Sequence, residues 1–273
     1  MQPARAMKEH NMTELTTPSI ALVVTSCGRA SLLERTLTTF TQFNTRPINE
    51  AVVIEDGGLY HDHEALARML ALDPAQLTLI KNEKNLGQIR SIDRAYQAVK
   101  SDYIFHCEDD WEFYRPGFME ESLKILQADP HVFCVWIRAH DDTNGHPIAR
   151  QVHQAAAGLT YQLVCSGYRG VWHGFTFNPG LRRRSDCLVM GPYSELPLAH
   201  ELRGRTRITE SDLSIHYHRR GYTAAITSCK DGYVRHIGQD HHLANEWEWR
   251  VVVWAKNLAR RFIHGVRARV RGA

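Results

Sequence analysis

Four apolar segments of strand length recur in the first half of the chain: Ile20–Val24, Ala51–Ile54, Leu77–Ile80 and Tyr103–Cys107. Each is followed by a segment with helical spacing of its apolar residues. A continuous apolar run is typical of a strand that is buried on both faces of a parallel sheet. The alternation therefore predicts an α/β fold, with a central, mostly parallel sheet flanked by helices.

The first helix is expected near Ser31, which has the spacing of a capping box with Glu34. A further strand is expected at His131–Ile137. Residues 138–185 are rich in Gly, His, Arg and aromatic residues, which predicts long loops over a sheet edge. A helix over Ile208–Gly221 and a short strand at Thr223–Thr227 would follow, and one domain is the simplest organisation.

Polar clusters stand where the four apolar strands end. They are Thr25–Arg29, Glu55–Gly58, Asn82–Gly87 and Glu108–Asp110. In parallel α/β sheets the ligand lies outside the carboxyl ends of the strands. We therefore expect four separate loops to converge on one binding site.

The cluster Glu108-Asp109-Asp110 predicts a site for a divalent metal and a diphosphate. Adjacent like charges raise the free energy unless a cation offsets them. Hard divalent cations bind one or two carboxylates together with phosphate oxygens, and they stabilise the charge on a leaving diphosphate. A solvated acidic turn is the alternative interpretation of these three residues taken alone.

Four motifs in this order resemble the nucleotide-binding half of family 2 glycosyltransferases with the GT-A fold. They are Val23–Arg29, Val53–Gly58, Asn85–Arg90 and Asp102–Asp110. The resemblance covers about residues 18–113 and continues more weakly through Glu210–Leu213. It implies a single Rossmann-like GT-A domain over 19–242. That domain would have a nucleotide-binding half at 19–113 and an acceptor half at 114–242, after a flexible leader at 1–18.

The resemblance also implies the residues of the donor site. Glu55 and Asp56 would contact the base and the ribose, and Arg90 would approach the base. Asp110 would ligate Mn²⁺ or Mg²⁺, and His236 would complete the metal or diphosphate site, although a structural histidine is an equal alternative. The implied donor-binding residues are Thr25, Ser26, Arg29, Glu55, Asp56, Asn85, Gly87, Arg90, Glu108 and Asp109.

The general base of the family comes from an acidic pair at the start of a later helix. The pair is not intact here, and the resemblance leaves Glu210 and Asp212 as candidates. Either would remove the proton of the acceptor hydroxyl as that oxygen attacks the anomeric carbon. The same two acids are also typical of a helix N-terminus, where they favour the helix dipole.

We therefore expect an inverting, metal-dependent glycosyltransferase. It would transfer a sugar from a UDP-sugar or a GDP-sugar to a hydroxyl acceptor, in the synthesis of a glycan, a polysaccharide or a glycolipid. The acceptor would be a glycan or a lipid-linked molecule. A nucleotidyltransferase that makes sugar nucleotides is an alternative, but Thr25–Arg29 lacks the glycine-rich loop that such enzymes use for a triphosphate. A non-catalytic nucleotide-sugar-binding domain is the other alternative.

The C-terminal segment 243–273 has apolar residues at helical spacing and no acidic residue after Glu248. A basic amphipathic helix of this kind is expected to pack on the domain first and then to contact an anionic membrane surface. The formal net charge is only +3, and no basic–aromatic platform appears elsewhere, so nucleic acid is not expected as a partner.

Scattered cysteines without a CxxC pair predict reduced thiols, which favours a reducing compartment. Residues 1–17 hold no apolar run, so we expect no signal peptide. These features predict a cytoplasmic protein, peripheral on the inner face of the membrane. The segment Trp172–Gly180, with the basic run Arg182–Arg184, is expected either near the donor sugar or acceptor, or packed under the sheet.

Overall fold

The structure, a computed structural model, describes residues 17–58, 61–200 and 205–238. The chain divides into two compact units, Met1–Arg235 and His236–Ala273. The strands are β1 Ile20–Ser26, β2 Glu50–Glu55, β3 Leu77–Lys81, β4 Tyr103–Glu108, β5 Trp111–Phe113, β6 Val132–Trp136, β7 Ile148–Ala156, β8 Leu159–Val164, β9 Gly180–Arg183, β10 Thr223–Thr227 and β11 Val234–His236. The α-helices are α1 Ala30–Phe43, α2 His63–Met69, α3 Gln88–Ala98, α4 Phe118–Ala128, α5 Arg184–Met190 and α6 Glu210–Arg219.

One sheet contains nine of these strands in the order β3-β2-β1-β4-β9-β6-β10-β8-β7. The pairs of β1 with β2 and β4, of β2 with β3, and of β6 with β10 are parallel. Only β8 and β9 run against the other strands. The predicted α/β fold with a mostly parallel central sheet and flanking helices is thus confirmed. A second, two-stranded sheet contains β5 and β11.

The core lies on both faces of the sheet, as the continuous apolar runs predict. In β1, Leu22 and Val24 pack into one cluster with the aromatic rings of α1 and α4, while Ala21 and Val23 face the layer formed by α3. A further cluster surrounds Phe133 of β6. Burial of these side chains supplies most of the driving force for folding, because apolar area removed from water contributes about 25 cal/mol per Å².

The expectation of loops over 138–185 is wrong in part, since only residues 138–147 and 165–179 lie outside helices and strands, apart from the turn between β7 and β8. This stretch forms the β7–β8 hairpin and then β9, which lies in the middle of the sheet between β4 and β6. The expected capping box at Ser31 is also absent. Helix α1 begins at Ala30, its N-cap is Arg29, two residues before Ser31, and no side chain caps it.

Two predicted segments lie wholly or mostly outside the described residues. They are the leader at 1–18, of which only Thr17 and Pro18 are described, and the basic helix at 243–273. The domain boundaries therefore stay predictions, as does the membrane contact. Within the described ranges, no helix combines the length and the apolar character that crossing a bilayer requires. All six cysteines are described, and none forms a disulfide.

Candidate functional site

The turns after β1 and β2 meet at the carboxyl edge of the sheet, where the Glu55 carboxylate joins them. Its Oε1 accepts hydrogen bonds from the amides of Gly28 at 2.8 Å and Gly57 at 2.6 Å, and its Oε2 accepts from His61 Nε2 at 2.7 Å. Burial acts to raise the pKa of Glu55, but the hydrogen bonds from His61, Gly28 and Gly57 outweigh it and lower the pKa. Glu55 is therefore an ionised anchor for these turns.

The turn after β3 is held by Asp56 in the same way. Asp56 Oδ1 accepts from Asn82 Nδ2 at 2.7 Å and from the Leu86 amide at 2.8 Å, and Oδ2 accepts from the Gly87 amide at 2.8 Å. Gly87 has a φ of +86°, a conformation that glycine adopts without steric cost. Both predicted donor-site acids after β2 thus accept hydrogen bonds from the amides of neighbouring turns and stabilise them. Their contact with a base or a ribose stays a prediction.

The predicted metal-site acids after β4 are bound by Arg29 from the turn after β1. Its guanidinium donates to both oxygens of Asp109 and, at 2.8 Å, to Oδ2 of Asp110. The Cys27 amide also reaches Asp109 Oδ2, at 3.4 Å. Burial raises the pKa of Asp109, and the charge of Arg29 offsets only part of that effect. Arg29 and the two aspartates therefore form one partly buried charged group.

The third acid of this cluster, Glu108, accepts a hydrogen bond from Gln88 Nε2 at 2.7 Å. Trp111 Nε1 donates to its other oxygen at 3.4 Å. Burial, together with the charges of Asp110 and Glu210, raises the pKa of Glu108 to about 8. The contribution of Glu210 to this rise indicates that Glu210 lies near enough to the acidic cluster for their charges to repel each other.

Glu210 begins α6 and lines a cleft of about 590 Å³. The other walls of the cleft come from Leu86–Arg90, from Ser194 and Leu196–Leu198, and from Thr206–Thr209. Glu210 Oε1 accepts from the Phe177 amide at 2.7 Å. Burial raises the pKa of Glu210, and the Phe177 hydrogen bond and the charge of Arg182 oppose that rise. The cleft has the size of a small-molecule site.

Asp212, the other candidate base, is fully buried and saturated with donors from the protein. It accepts from the guanidinium of Arg205, from the Ala199 amide at 2.8 Å, and from the Thr209 amide at 2.8 Å and hydroxyl at 2.9 Å. Burial acts to raise the pKa of Asp212, but these hydrogen bonds outweigh it and lower the pKa. Asp212 thus caps α6 and ties down the segment that forms the outer wall of the cleft.

The remaining predicted residues lie around this edge of the sheet with fewer contacts. Thr25 and Ser26 end β1 and are buried, and Asn85 Nδ2 donates to Cys27 Sγ at 3.3 Å. Arg90 is exposed on the wall of the cleft. His236 ends β11 and is the first residue of the second compact unit, so its metal role stays a prediction.

Sequence reasoning missed Gln88, His61 and Arg205, which bind Glu108, Glu55 and Asp212 respectively. His61 follows Glu55 by six residues and carries no recognisable motif. Gln88 follows the glycine of the third loop, and this position at the start of a helix is the one signal that could have found it. The segment Trp172–Gly180 packs inward, because Phe175 and Phe177 are buried.

The donor set fits a hard divalent cation only if a ligand completes it. Within the described ranges, no group of three or more His, Cys, Asp or Glu side chains could hold a metal ion by itself. Carboxylate oxygens are nevertheless the protein ligands that Mg²⁺ and Mn²⁺ prefer, and such ions are commonly completed by substrate phosphates. Asp110, with Glu108 and Asp109 beside it, offers that chemistry.

The sheet order and the acidic cluster at the carboxyl edge define an α/β protein of the GT-A class. Glycosyl transferase family 2 matches the sequence over residues 21–188, well over half of the chain, and the chain belongs to this family. No curated protein matches the sequence at a significant level.

Three solved structures share this fold at low sequence identity. The mannosyltransferase PcManGT from Pyrobaculum calidifontis, in complex with GDP-Man and Mn²⁺, has a TM-score of 0.57 and 17% identity, over 92% of this chain and 64% of that one. GalNAc-T7 with UDP, GalNAc and Mn²⁺ has a TM-score of 0.53 and 15% identity, over 80% of this chain and 43% of that one. TarS from S. aureus has a TM-score of 0.53 and 13% identity, over 79% of this chain and 36% of that one. This chain thus spans less than two thirds of the length of each.

Proposed function

We propose that this chain is an inverting glycosyltransferase that takes a sugar from a UDP-sugar or a GDP-sugar and transfers it to a hydroxyl acceptor. The observation that carries the proposal is the position of Glu210, which begins α6 on the wall of the cleft and lies near enough to Glu108 for their charges to interact. Membership of glycosyl transferase family 2 and the GDP-Man and UDP complexes of the structural neighbours support the same chemistry.

The donor half of the site is formed by the turns after β1, β2 and β3, which Glu55 and Asp56 hold in place. Asp110, assisted by Glu108 and Asp109, would hold Mn²⁺ or Mg²⁺ against the diphosphate. When bound, the cation neutralises the charge that develops on the departing diphosphate. Arg29 lies on the same two aspartates and adds positive charge at this position.

The acceptor half is the cleft, with Glu210 as the general base. The acceptor oxygen attacks the anomeric carbon, its proton passes to the Glu210 carboxylate, and the bond from the anomeric carbon to the diphosphate oxygen breaks. A single displacement of this kind inverts the anomeric configuration. Glu210 suits the role better than Asp212, because Asp212 is occupied by Arg205 and three further donor groups.

The test uses carboxylate-to-amide variants of the full chain. Asp110→Asn should abolish Mn²⁺-dependent turnover of the nucleotide sugar. Glu210→Gln should lower transfer by about 10²- to 10⁴-fold, the usual contribution of a general base, while leaving donor binding intact. Glu34→Gln, on the exposed face of α1, is the matched control and should change neither.

Product analysis tests the stereochemistry. Proton NMR of the freshly formed product should show the anomeric configuration opposite to that of the donor. Full activity of Asp110→Asn would sink the metal–diphosphate assignment, and retained anomeric configuration would sink the single displacement.

A further inference from the structure

Arg182 is a charged side chain in the middle of the sheet. It lies on β9, is only 1% exposed, and pairs in register with Ile104 of β4. Its NH2 donates to the Thr176 carbonyl at 3.2 Å, whereas its Nε and NH1 have no hydrogen-bond partner among the described residues. Burying an ionised group costs several kcal/mol unless an opposite charge and hydrogen bonds compensate it. A charged Arg182 at this position therefore costs folding stability, and the groups around it indicate which role offsets that cost.

The nearest polar groups do not balance the charge of Arg182. Tyr96, Cys134 and Tyr193 interact with it, and burial raises the pKa of each of these hydroxyls and thiols, so they stay neutral at physiological pH. Burial and Arg182 together lower the pKa of the buried His106, which is therefore also neutral. Glu210 differs from these groups in being a carboxylate, and the charge of Arg182 favours its ionised form.

A short loop connects Arg182 to Glu210 through its backbone. The Thr176 carbonyl accepts from Arg182, and the next amide along the chain, that of Phe177, donates to Glu210 Oε1 at 2.7 Å. Ser214 Oγ on α6 accepts from the amides of His173 at 2.6 Å and Phe175 at 3.3 Å. The loop 173–178 is thus fixed to β9 on one side and to the start of α6 on the other.

We propose that Arg182 is a positioning residue for the general base. Its guanidinium fixes the loop whose Phe177 amide orients the Glu210 carboxylate, and it supplies the buried positive charge that stabilises that carboxylate. The inference rests on the proposed function, since it assigns Arg182 a role only through Glu210.

The groups around Glu210 determine in which direction the loss of Arg182 would change the pKa of Glu210. Glu108, from the end of β4, and Asp212, on the same helix, are acidic, and burial favours the neutral form of Glu210. The Phe177 amide and Arg182 favour the charged form. A general base must be ionised before it accepts a proton, so removing Arg182 narrows the pH range in which Glu210 works.

Two substitutions test the charge of Arg182. Arg182→Gln removes the charge together with the guanidinium donor to the Thr176 carbonyl, while Arg182→Lys keeps the charge. The measurement is the pH profile of kcat for sugar transfer by the full chain with Mn²⁺, in the wild-type and Glu210→Gln backgrounds. Arg184→Gln, which removes an equal charge two residues away, is the matched control and should leave the profile unchanged.

We expect Arg182→Gln to move the acid limb of the profile upward by about one pH unit. On that limb kcat should fall about tenfold, and at higher pH, where Glu210 is ionised, it should recover. Arg182→Lys should move it much less. In the Glu210→Gln background, Arg182→Gln should have no pH-dependent effect. If Arg182→Gln does not fold, Arg182→Lys alone still tests the proposal, because a displacement of the acid limb by about one pH unit in a variant that keeps the charge would overturn it.

A uniform loss of kcat at every pH in Arg182→Gln would also overturn the proposal, because a merely structural role changes the amount of active protein and not the acid limb. The two hypotheses fail separately. If Glu210→Gln keeps full transfer activity, the proposed base is wrong. If Glu210→Gln is inactive and the Arg182→Gln profile is unmoved, only the role of Arg182 is wrong.

Discussion

Glu210 and Asp212 stand two residues apart in the first turn of α6, yet their surroundings give them opposite properties. Asp212 is surrounded by hydrogen-bond donors that favour its charged form. Glu210 accepts one hydrogen bond from the part of the chain that the structure describes, that of the Phe177 amide, and its pKa is raised by burial. A carboxylate with a raised pKa and spare oxygen lone pairs is suited to proton transfer, whereas a saturated one is suited to holding structure.

Asp212→Asn is expected to destabilise the protein by about 2–4 kcal/mol, because it leaves Arg205 and two amides without their charged acceptor. Denaturant unfolding at pH 7 measures the loss. Asp62→Asn is the matched control, since asparagine caps a helix about as well as aspartate, and α2 should keep its N-cap. An unfolding free energy equal to that of the wild type would contradict the anchoring role.

The same substitution has a defined pH dependence. The pKa of Asp212 is lower in the folded chain than in the unfolded chain, where it is about 3.9. The stabilisation is therefore complete above that value and is lost as the pH falls through the folded pKa. The difference in unfolding free energy between wild type and Asp212→Asn should stay constant from pH 7 to about pH 5 and shrink below about pH 4.

At the scale of single residues, the sequence predicts where the acids lie but not what binds them. Glu55, Asp56 and Glu108–Asp110 were placed at strand ends because apolar runs precede them. Their partners, such as His61 and Gln88, come from turns whose geometry no periodicity encodes. Arg205 precedes Asp212 by seven residues, and no helical or strand spacing predicts their hydrogen bond.

At the scale of elements, the turns after β1 and β2 are in direct backbone contact. A Cβ placed on Gly57 would lie 2.3 Å from the Gly28 nitrogen. Gly57→Ala should therefore push the two turns apart, lower the unfolding free energy by about 1–3 kcal/mol, and weaken nucleoside diphosphate binding. Calorimetric titration with UDP and GDP in the presence of Mn²⁺ measures the second effect.

Gly158→Ala, in the turn between β7 and β8, is the control for this substitution. Gly158 has a φ of +75° and open space around its Cα, so alanine there should cost about 1–2 kcal/mol of backbone strain and leave nucleotide affinity unchanged. Equal nucleotide affinities for Gly57→Ala and Gly158→Ala would show that the close contact of the two turns does not shape the donor site.

The strands that the sequence predicts best are apolar runs followed by helices with clear spacing. β1, β2, β4 and β6 are buried on both faces, whereas β3 lies at the edge of the sheet and is only partly buried. The hairpin strand β7 lies at the edge of the sheet, and its exposed polar residues Arg150, Gln151 and Gln154 interrupt the apolar pattern that would predict a strand. β9 has only four residues, and two of them are arginines, so its central position depends on tertiary contacts that local sequence does not reveal.

At the scale of the whole molecule, binding of the donor nucleotide should raise the melting temperature of the protein. A ligand that binds only the folded state adds about 2.7 kcal/mol at a concentration of 100 times Kd. For a domain of this size that is a rise in Tm of about 5–10 °C. We expect either UDP or GDP to raise the Tm by this amount in the presence of Mn²⁺. Most of the rise should disappear when EDTA is added or when the protein carries Asp110→Asn. An equal rise with and without the metal would contradict a metal–diphosphate site.

The central position of β9 also sets the order in which this sheet is completed as the chain emerges from the ribosome. β4 and β6 are translated well before β9, and until residue 183 has been added each of them has a hydrogen-bonding edge without its native neighbour. Unpaired edges of hydrophobic strands are sites of intermolecular association. Chains interrupted between β6 and β9 should therefore depend on chaperones, and the four residues from Gly180 to Arg183 join the two parts of the sheet during synthesis.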